Sequence, residues 1–316
     1  MRYSLMLEGQ EGVTWPQWLA IAQACERLGF EGLFSSDHYL SVVQPDPGSN
    51  ETWTLLGALA ARTERLRLGA MVSPVTFRLP VVLAKAATTV DHVSGGRVDV
   101  GVGAGWWEEE HRTHGIPFPS VGERFEMLEE ELEILHGLWS QDVFSFESRH
   151  FAIEECRFVP KPVQRPHPPI ILGGKGGPRI ARLVARWADE FNRVGGTPEE
   201  LREAFERVRD AVANAGREQS SVTTSLMTWV FVGRTDGEWK ERVERARRMD
   251  PAAGPFDAYL ADVSQDCIVG TLEQAIDRMN AYAQAGVQRF VLNHGLFDDL
   301  DQIELLATEI LPKVAS

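Results

Sequence analysis

Three groups of residues in this chain have types and spacings that could do chemistry. The first is Asp37-His38, which closes the short apolar run Gly32-Leu33-Phe34-Ser35-Ser36. A histidine at a strand end can gain or lose a proton near neutral pH, so His38 is the candidate catalytic residue. The second is Gly103-Ala104-Gly105-Trp106-Trp107, directly after the alternating Val98, Val100 and Val102. Glycine there leaves bare backbone against which something large can lie. Glu108, Glu109 and Glu110 follow, a run noticed as possible acid chemistry, of which Glu108 and Glu109 read with His111 as solvated loop residues. The third is Gly173-Gly174-Lys175-Gly176-Gly177-Pro178, between a strand and a helix start. Free backbone N–H groups and the positive end of a helix dipole favour a phosphate at such a place. It is not a Walker motif, because Gly and not Ser or Thr follows the Gly-Lys pair.

Together these clusters describe a pocket with much glycine, some tryptophan and few charges. That suits a flat, phosphate-bearing aromatic cofactor better than a metal centre. A metal-dependent barrel hydrolase would want His-x-His on its first strand, and RYSLML (2–7) has no histidine, so no metal site is expected. His294 is a weaker candidate than His38, and His92, His136, His150 and His167 fall in helix or insertion contexts.

The elements that must position these residues alternate short apolar strands with amphipathic helices. Strands are read at 2–7, 32–36, 66–72, 98–103, 170–172, 189–194, 225–232 and 290–294. Thr14 is a candidate N-cap, Gly29 a helix stop, and Pro80 a helix start whose missing N–H costs nothing. Phe125, Leu128, Leu132, Leu135 and Trp139 form an apolar stripe with glutamates on the other, solvated face. Thr271 and Gln274 make a capping box. Eight strands, each followed by helix, predict an α/β chain folded as a TIM (β/α)8 barrel; a doubly wound open sheet, with about six strands, is the alternative. Residues 141–168 break the rhythm and read as an inserted hairpin region, and 250–268 as an irregular segment. One domain over 1–316 is expected.

Composition narrows the function classes. A net charge of −14 over 316 residues makes nucleic acid or an anionic membrane an unsuitable partner. No apolar run is long enough to span a bilayer, and the first residues lead straight into a strand pattern, so no signal peptide is expected. Cys25, Cys156 and Cys267 match neither a CxxC motif nor a disulfide framework, which fits a reducing cytoplasm.

Several segments converge on a known family. GFEGLFSSDHYL (29–40), the long block from Leu66 to Trp106, the stretch from Glu108 to Trp139, RFVPKPVQRPHPPIILGGKG (157–176) and ADEFN (188–192) resemble the bacterial luciferase-like superfamily. They look closest to its deazaflavin-dependent oxidoreductases. The resemblance implies a TIM barrel binding 8-hydroxy-5-deazaflavin (coenzyme F-420) or FMN, and a homodimer. It implies that Asp37 and His38 lie beside the ring. Met71-Val72 would be the position where family members carry a non-proline cis peptide. Ala104, Gly105 and Trp106 would touch the ring, and Gly173, Gly174, Lys175 and Gly176 the phosphate side. Hydride transfer to or from a small organic substrate, oxygen chemistry with FMN and a separate reductase, and cofactor binding without catalysis are the three functions in view. The family's sugar-phosphate dehydrogenase carries a glutamate where this chain has Trp106, so a sugar phosphate is not the expected substrate.

Overall fold

In the computed structural model, which describes residues 1–45 and 47–315, eight strands close a parallel ring. They are β1 (Arg2–Leu7), β2 (Gly32–Ser35), β3 (Arg67–Pro74), β4 (Val98–Gly103), β7 (Ile170–Gly173), β8 (Glu190–Val194), β9 (Thr223–Gly233) and β11 (Arg289–Asn293). The pairings run β11-β1-β2-β3-β4-β7-β8, and β9 joins β8 to β11 to shut the barrel. Valine, isoleucine and leucine dominate these strands because both faces are covered, one by the interior and one by helices.

The helix signals hold at atomic detail. At α1 (Trp15–Leu28) Gln17 Oε1 accepts Thr14 N–H at 2.9 Å, and Gly29 ends the helix at φ 82°. Pro80 opens α3 (Pro80–Ser94), and Ser120 with Glu123 forms a capping box on α5 (Val121–Ser140). α2 (Thr52–Ala60), α6 (Pro178–Trp187), α7 (Pro198–Asn214), α8 (Asp236–Met249) and α10 (Leu272–Gln284) lie outside the ring, and the Thr271–Gln274 box starts α10. Between α5 and β7 the expected hairpin is present. β5 (Phe144–Glu147) pairs antiparallel with β6 (Ala152–Cys156), setting Phe146 opposite Ile153.

Two expectations need correction. Residues 250–268 are not irregular: they hold α9 (Phe256–Asp266) and the start of β10 (Ile268–Thr271). β9 runs past the ring, and its outer half, Val230 to Gly233, pairs with β10. The signal is in the sequence all the same: Phe256, Tyr259, Leu260 and Val263 recur at helical spacing and pack half-buried against Phe231, Trp239 and Val243, although no residue of α9 is fully buried. The glutamates of α5 are not all solvated, because Glu131 faces inward. Burial pushes its carboxyl up to about 8 despite the pull of Arg78.

Candidate active site

The C-terminal ends of the ring strands surround a cavity of about 830 Å³. That is the size of an ordinary cofactor or substrate site. Its floor carries Met6 from β1 and Met71-Val72 from β3, whose connecting peptide bond is cis. Gly101, Gly103 and Gly173 make room for Val72. A Cβ on Gly103 would come 2.7 Å from Val72 Cγ2, and one on Gly173 would come 3.1 Å from Cγ1. Two neighbouring strands therefore give up side chains so that one valine can bulge across them. Ala104, Gly105 and Trp106 form the rim beyond β4, with Gly105 at φ 74°, a conformation glycine adopts without cost.

Asp37 and His38 are neighbours with different destinations. Asp37 is fully buried and absent from the cavity wall. Its carboxylate takes Ser73 Oγ at 2.6 Å and both Arg78 nitrogens, at 2.6 and 3.0 Å. Ser73 and Arg78 thus hold Asp37 away from the cavity wall, and it fastens the end of β2 to the loop after β3. His38 lines the cavity. Its Nδ1 lies 2.8 Å from Glu110 Oε2, while Trp106 and Trp107 stand edge-on to the ring at 5.8 and 6.1 Å.

Glu110 closes the carboxylate run, and next to it His111, expected to be solvated, is buried. Glu110 sits on the short helix α4 (Glu108–Thr113), and its side chain is 0% exposed. Oε1 accepts the backbone N–H of Tyr39 at 2.6 Å and of Leu40 at 3.1 Å. The carboxylate thus ties the segment after β2 to α4 and orients the imidazole. A carboxylate only accepts, so Nδ1 of His38 carries the hydrogen, and Nε2 is where a proton enters or leaves. Burial pulls the His38 pKa down, but the bond and charge of Glu110, then Glu8 and Asp37, outweigh it and the net shift is upward. Burial pushes Glu110 up, yet His38 and the two backbone donors bring it below the ordinary carboxylate value. The sequence did hold a sign of this. Trp107, Glu110 and His111 share one helical face, and His111 too is buried, with Thr76 Oγ1 2.6 Å from its Nε2.

The glycine-rich loop after β7 supplies the positive side. Gly173, Gly174, Lys175 and Arg179 line the cavity, and α6 begins there with its N-terminus open. Gly176 does not line it. A Cβ at that position would meet Ala204 at 2.8 Å, so this glycine serves packing between the loop and α7. Beside this loop, on β8 and in register with Gly173, Asn192 gives its Nδ2 to Ser225 Oγ at 2.9 Å, and its buried Oδ1 has no partner. An orphan acceptor on the wall, an apolar floor and cations at one rim fit a flat ring with a hydrogen-bond donor on its edge and a phosphate on its tail. His294 takes no part in the wall. It is buried, its Nδ1 lies 3.0 Å from Gln302 Nε2, and burial lowers its pKa to about 4. Among the described residues no three His, Cys, Asp or Glu side chains gather as a metal site would, and no helix is long and apolar enough to cross a membrane.

A family model described as luciferase-like monooxygenase matches residues 3–289. The chain belongs to that family. The FMNH(2)-dependent dimethylsulfone monooxygenase of Pseudomonas putida is 32% identical to this luciferase-like chain, over 93% of it and 86% of the relative. The F-420-dependent glucose-6-phosphate dehydrogenase of Microbacterium testaceum is 27% identical over 92% of this chain and 90% of its own length. A solved F-420-dependent secondary alcohol dehydrogenase, in complex with an F-420–acetone adduct, superposes with a TM-score of 0.84. It covers 100% of this chain and 99% of its own at 22% identity, a likeness that speaks for the fold. Relatives of this luciferase-like chain thus include both FMNH(2)-dependent and F-420-dependent oxidoreductases.

Proposed function

We propose that the cavity binds 8-hydroxy-5-deazaflavin coenzyme F-420 and that the protein exchanges a hydride between it and a small organic substrate. The observation that carries this reading is His38: a cavity-lining imidazole with Nδ1 fixed on Glu110 and Nε2 open to a ligand. Moving a hydride to or from an alcohol-type carbon requires a proton to move as well, and Nε2 is placed for that proton. When bound, the deazaflavin supplies the hydride chemistry. The chain's own residues do the rest. Met6, Met71 and Val72 offer an apolar bed, Asn192 Oδ1 accepts from the ring edge, and Lys175 with Arg179 faces the phosphate. Trp106 and Trp107 cover His38 and restrict water. His38 takes the proton when substrate is oxidised and returns it when product is reduced.

The 32%-identical FMNH(2)-dependent relative favours a second reading, an FMN-dependent monooxygenase working with a separate reductase. Titrating the cofactor-free protein with each cofactor, followed by fluorescence, separates the two. Micromolar binding of the deazaflavin without binding of FMN supports hydride transfer, and the reverse pattern overturns it. Binding of the deazaflavin with no turnover over a broad panel of alcohols, imines and enones would favour a binding protein. A homodimer is part of the proposal, tested by sedimentation velocity.

A further inference from the structure

The charges of the cavity are divided across the barrel. Glu8 and Glu11 follow β1, whereas Lys175 and Arg179 follow β7. Around the ring β1-β2-β3-β4-β7-β8-β9-β11, β7 lies opposite β1. If the cofactor's phosphate takes the Lys175 side, as proposed above, the Glu8 side is left for substrate, and the substrate class inferred for it rests on that reading.

The Glu8 side is apolar, acidic and short of donors. Met6 and Trp229 form its walls, and Trp229 lies in register with Asn293 on the neighbouring strand. Glu8 Oε1 accepts from Asn293 Nδ2 at 2.7 Å, and Oε2 from Gln10 Nε2 at 3.0 Å. Both donors are neutral amides that bring no charge against it, and His38, which feels the charge of Glu8, is already paired with Glu110. Asn293 itself is buried behind Glu8 and does not line the cavity, so the carboxylate of Glu8 is the acceptor this side presents.

We infer that this side of the cavity selects an apolar small molecule bearing a protonated amine. The ammonium group donates to Glu8, and the indole of Trp229 attracts the same cation. The apolar body of the ligand fills the space beside Met6. An anionic ligand would instead meet Glu8 and Glu11 in a setting where water screens poorly.

Calorimetric titration of the cofactor-free protein with cyclohexylamine, cyclohexanol and cyclohexanecarboxylate tests this at about pH 7. The amine is expected to bind roughly tenfold or more tighter than the alcohol, with the carboxylate weakest. Glu8→Gln is expected to erase the amine's advantage and leave the alcohol unchanged. Equal affinities, a preference for the carboxylate, or a folded E8Q protein that still prefers the amine would overturn the assignment. If circular dichroism shows E8Q unfolded, the wild-type ranking decides by itself. No deazaflavin and no turnover enter the experiment, so its failure is read separately from failure of the cofactor titration.

Discussion

The two ends of the barrel both bury charge, and they do so for different ends. At the N-terminal end Arg289, 1% exposed, fills the interior. Its Nε donates to Ser4 Oγ at 3.1 Å, and its Nη1 to Asp99 at 3.2 Å and Glu190 at 3.1 Å, over the face of Phe34. Arg67 holds the other oxygen of Asp99 at 2.9 Å. None of these groups lines the cavity at the other end, and the cluster is a plug. At the C-terminal end His38 and Glu110 are almost as buried, yet the pair keeps one nitrogen free toward 830 Å³ of space. Buried charge alone therefore does not mark a site; an unspent donor or acceptor facing a cavity does.

Substitutions can break or sharpen that contrast. The largest loss of stability is expected at the plug. Arg289→Met leaves Asp99 and Glu190 buried without their shared cation, costing about 3–5 kcal/mol in urea unfolding. A cost below about 1 kcal/mol would mean that the plug is not what holds this end together. Next comes His38→Gln, whose amide can still donate to Glu110 but cannot carry a proton. Turnover should fall by about 10²–10⁴-fold with cofactor affinity and unfolding midpoint nearly unchanged. If H38Q instead unfolds as readily as R289M, the two ends do the same job.

Glu110→Gln should act more mildly and with a definite pH signature. His38 is shifted up, so its share of the ion-pair stability is full below 6.5 and fades as pH rises through its folded value. Glu110 is shifted down, so its share is full above 4.5 and fades as pH falls through its folded value. The wild type should therefore exceed E110Q by about 1–3 kcal/mol between those two pH values, with the gap closing on either side. In activity, the alkaline decline of substrate reduction should move to lower pH in E110Q. Smallest of all, Glu109→Gln one residue earlier lies on the exposed side of α4, and its effect on stability should stay within about 0.5 kcal/mol.

Much of this architecture is legible in the chain itself. Strand and helix are local patterns, and caps such as Thr14–Gln17 or Ser120–Glu123 span three residues, so the ring of strands, the hairpin and the glycine-lined mouth all leave a signal. What stayed hidden was non-local. His38 and Glu110 are 72 positions apart, and nothing at either residue announces the other. The resemblance implies a place beside the ring for Asp37 as well as His38, but adjacent residues of an extended chain point opposite ways, and Arg78 holds Asp37. β10 is only four residues long and carries little periodic signal, whereas the half-buried stripe of α9, Phe256, Tyr259, Leu260 and Val263, stands at helical spacing in the sequence.

The central claim is that Glu110 holds His38 as a proton carrier with its exchange at Nε2. An NMR titration of the His38 imidazole, in the wild type and in Glu110→Gln, reads it directly. The wild-type pKa should lie above 6.5 and fall clearly in the variant. A wild-type value at or below 6.5, or one that Glu110→Gln leaves unmoved, would contradict it.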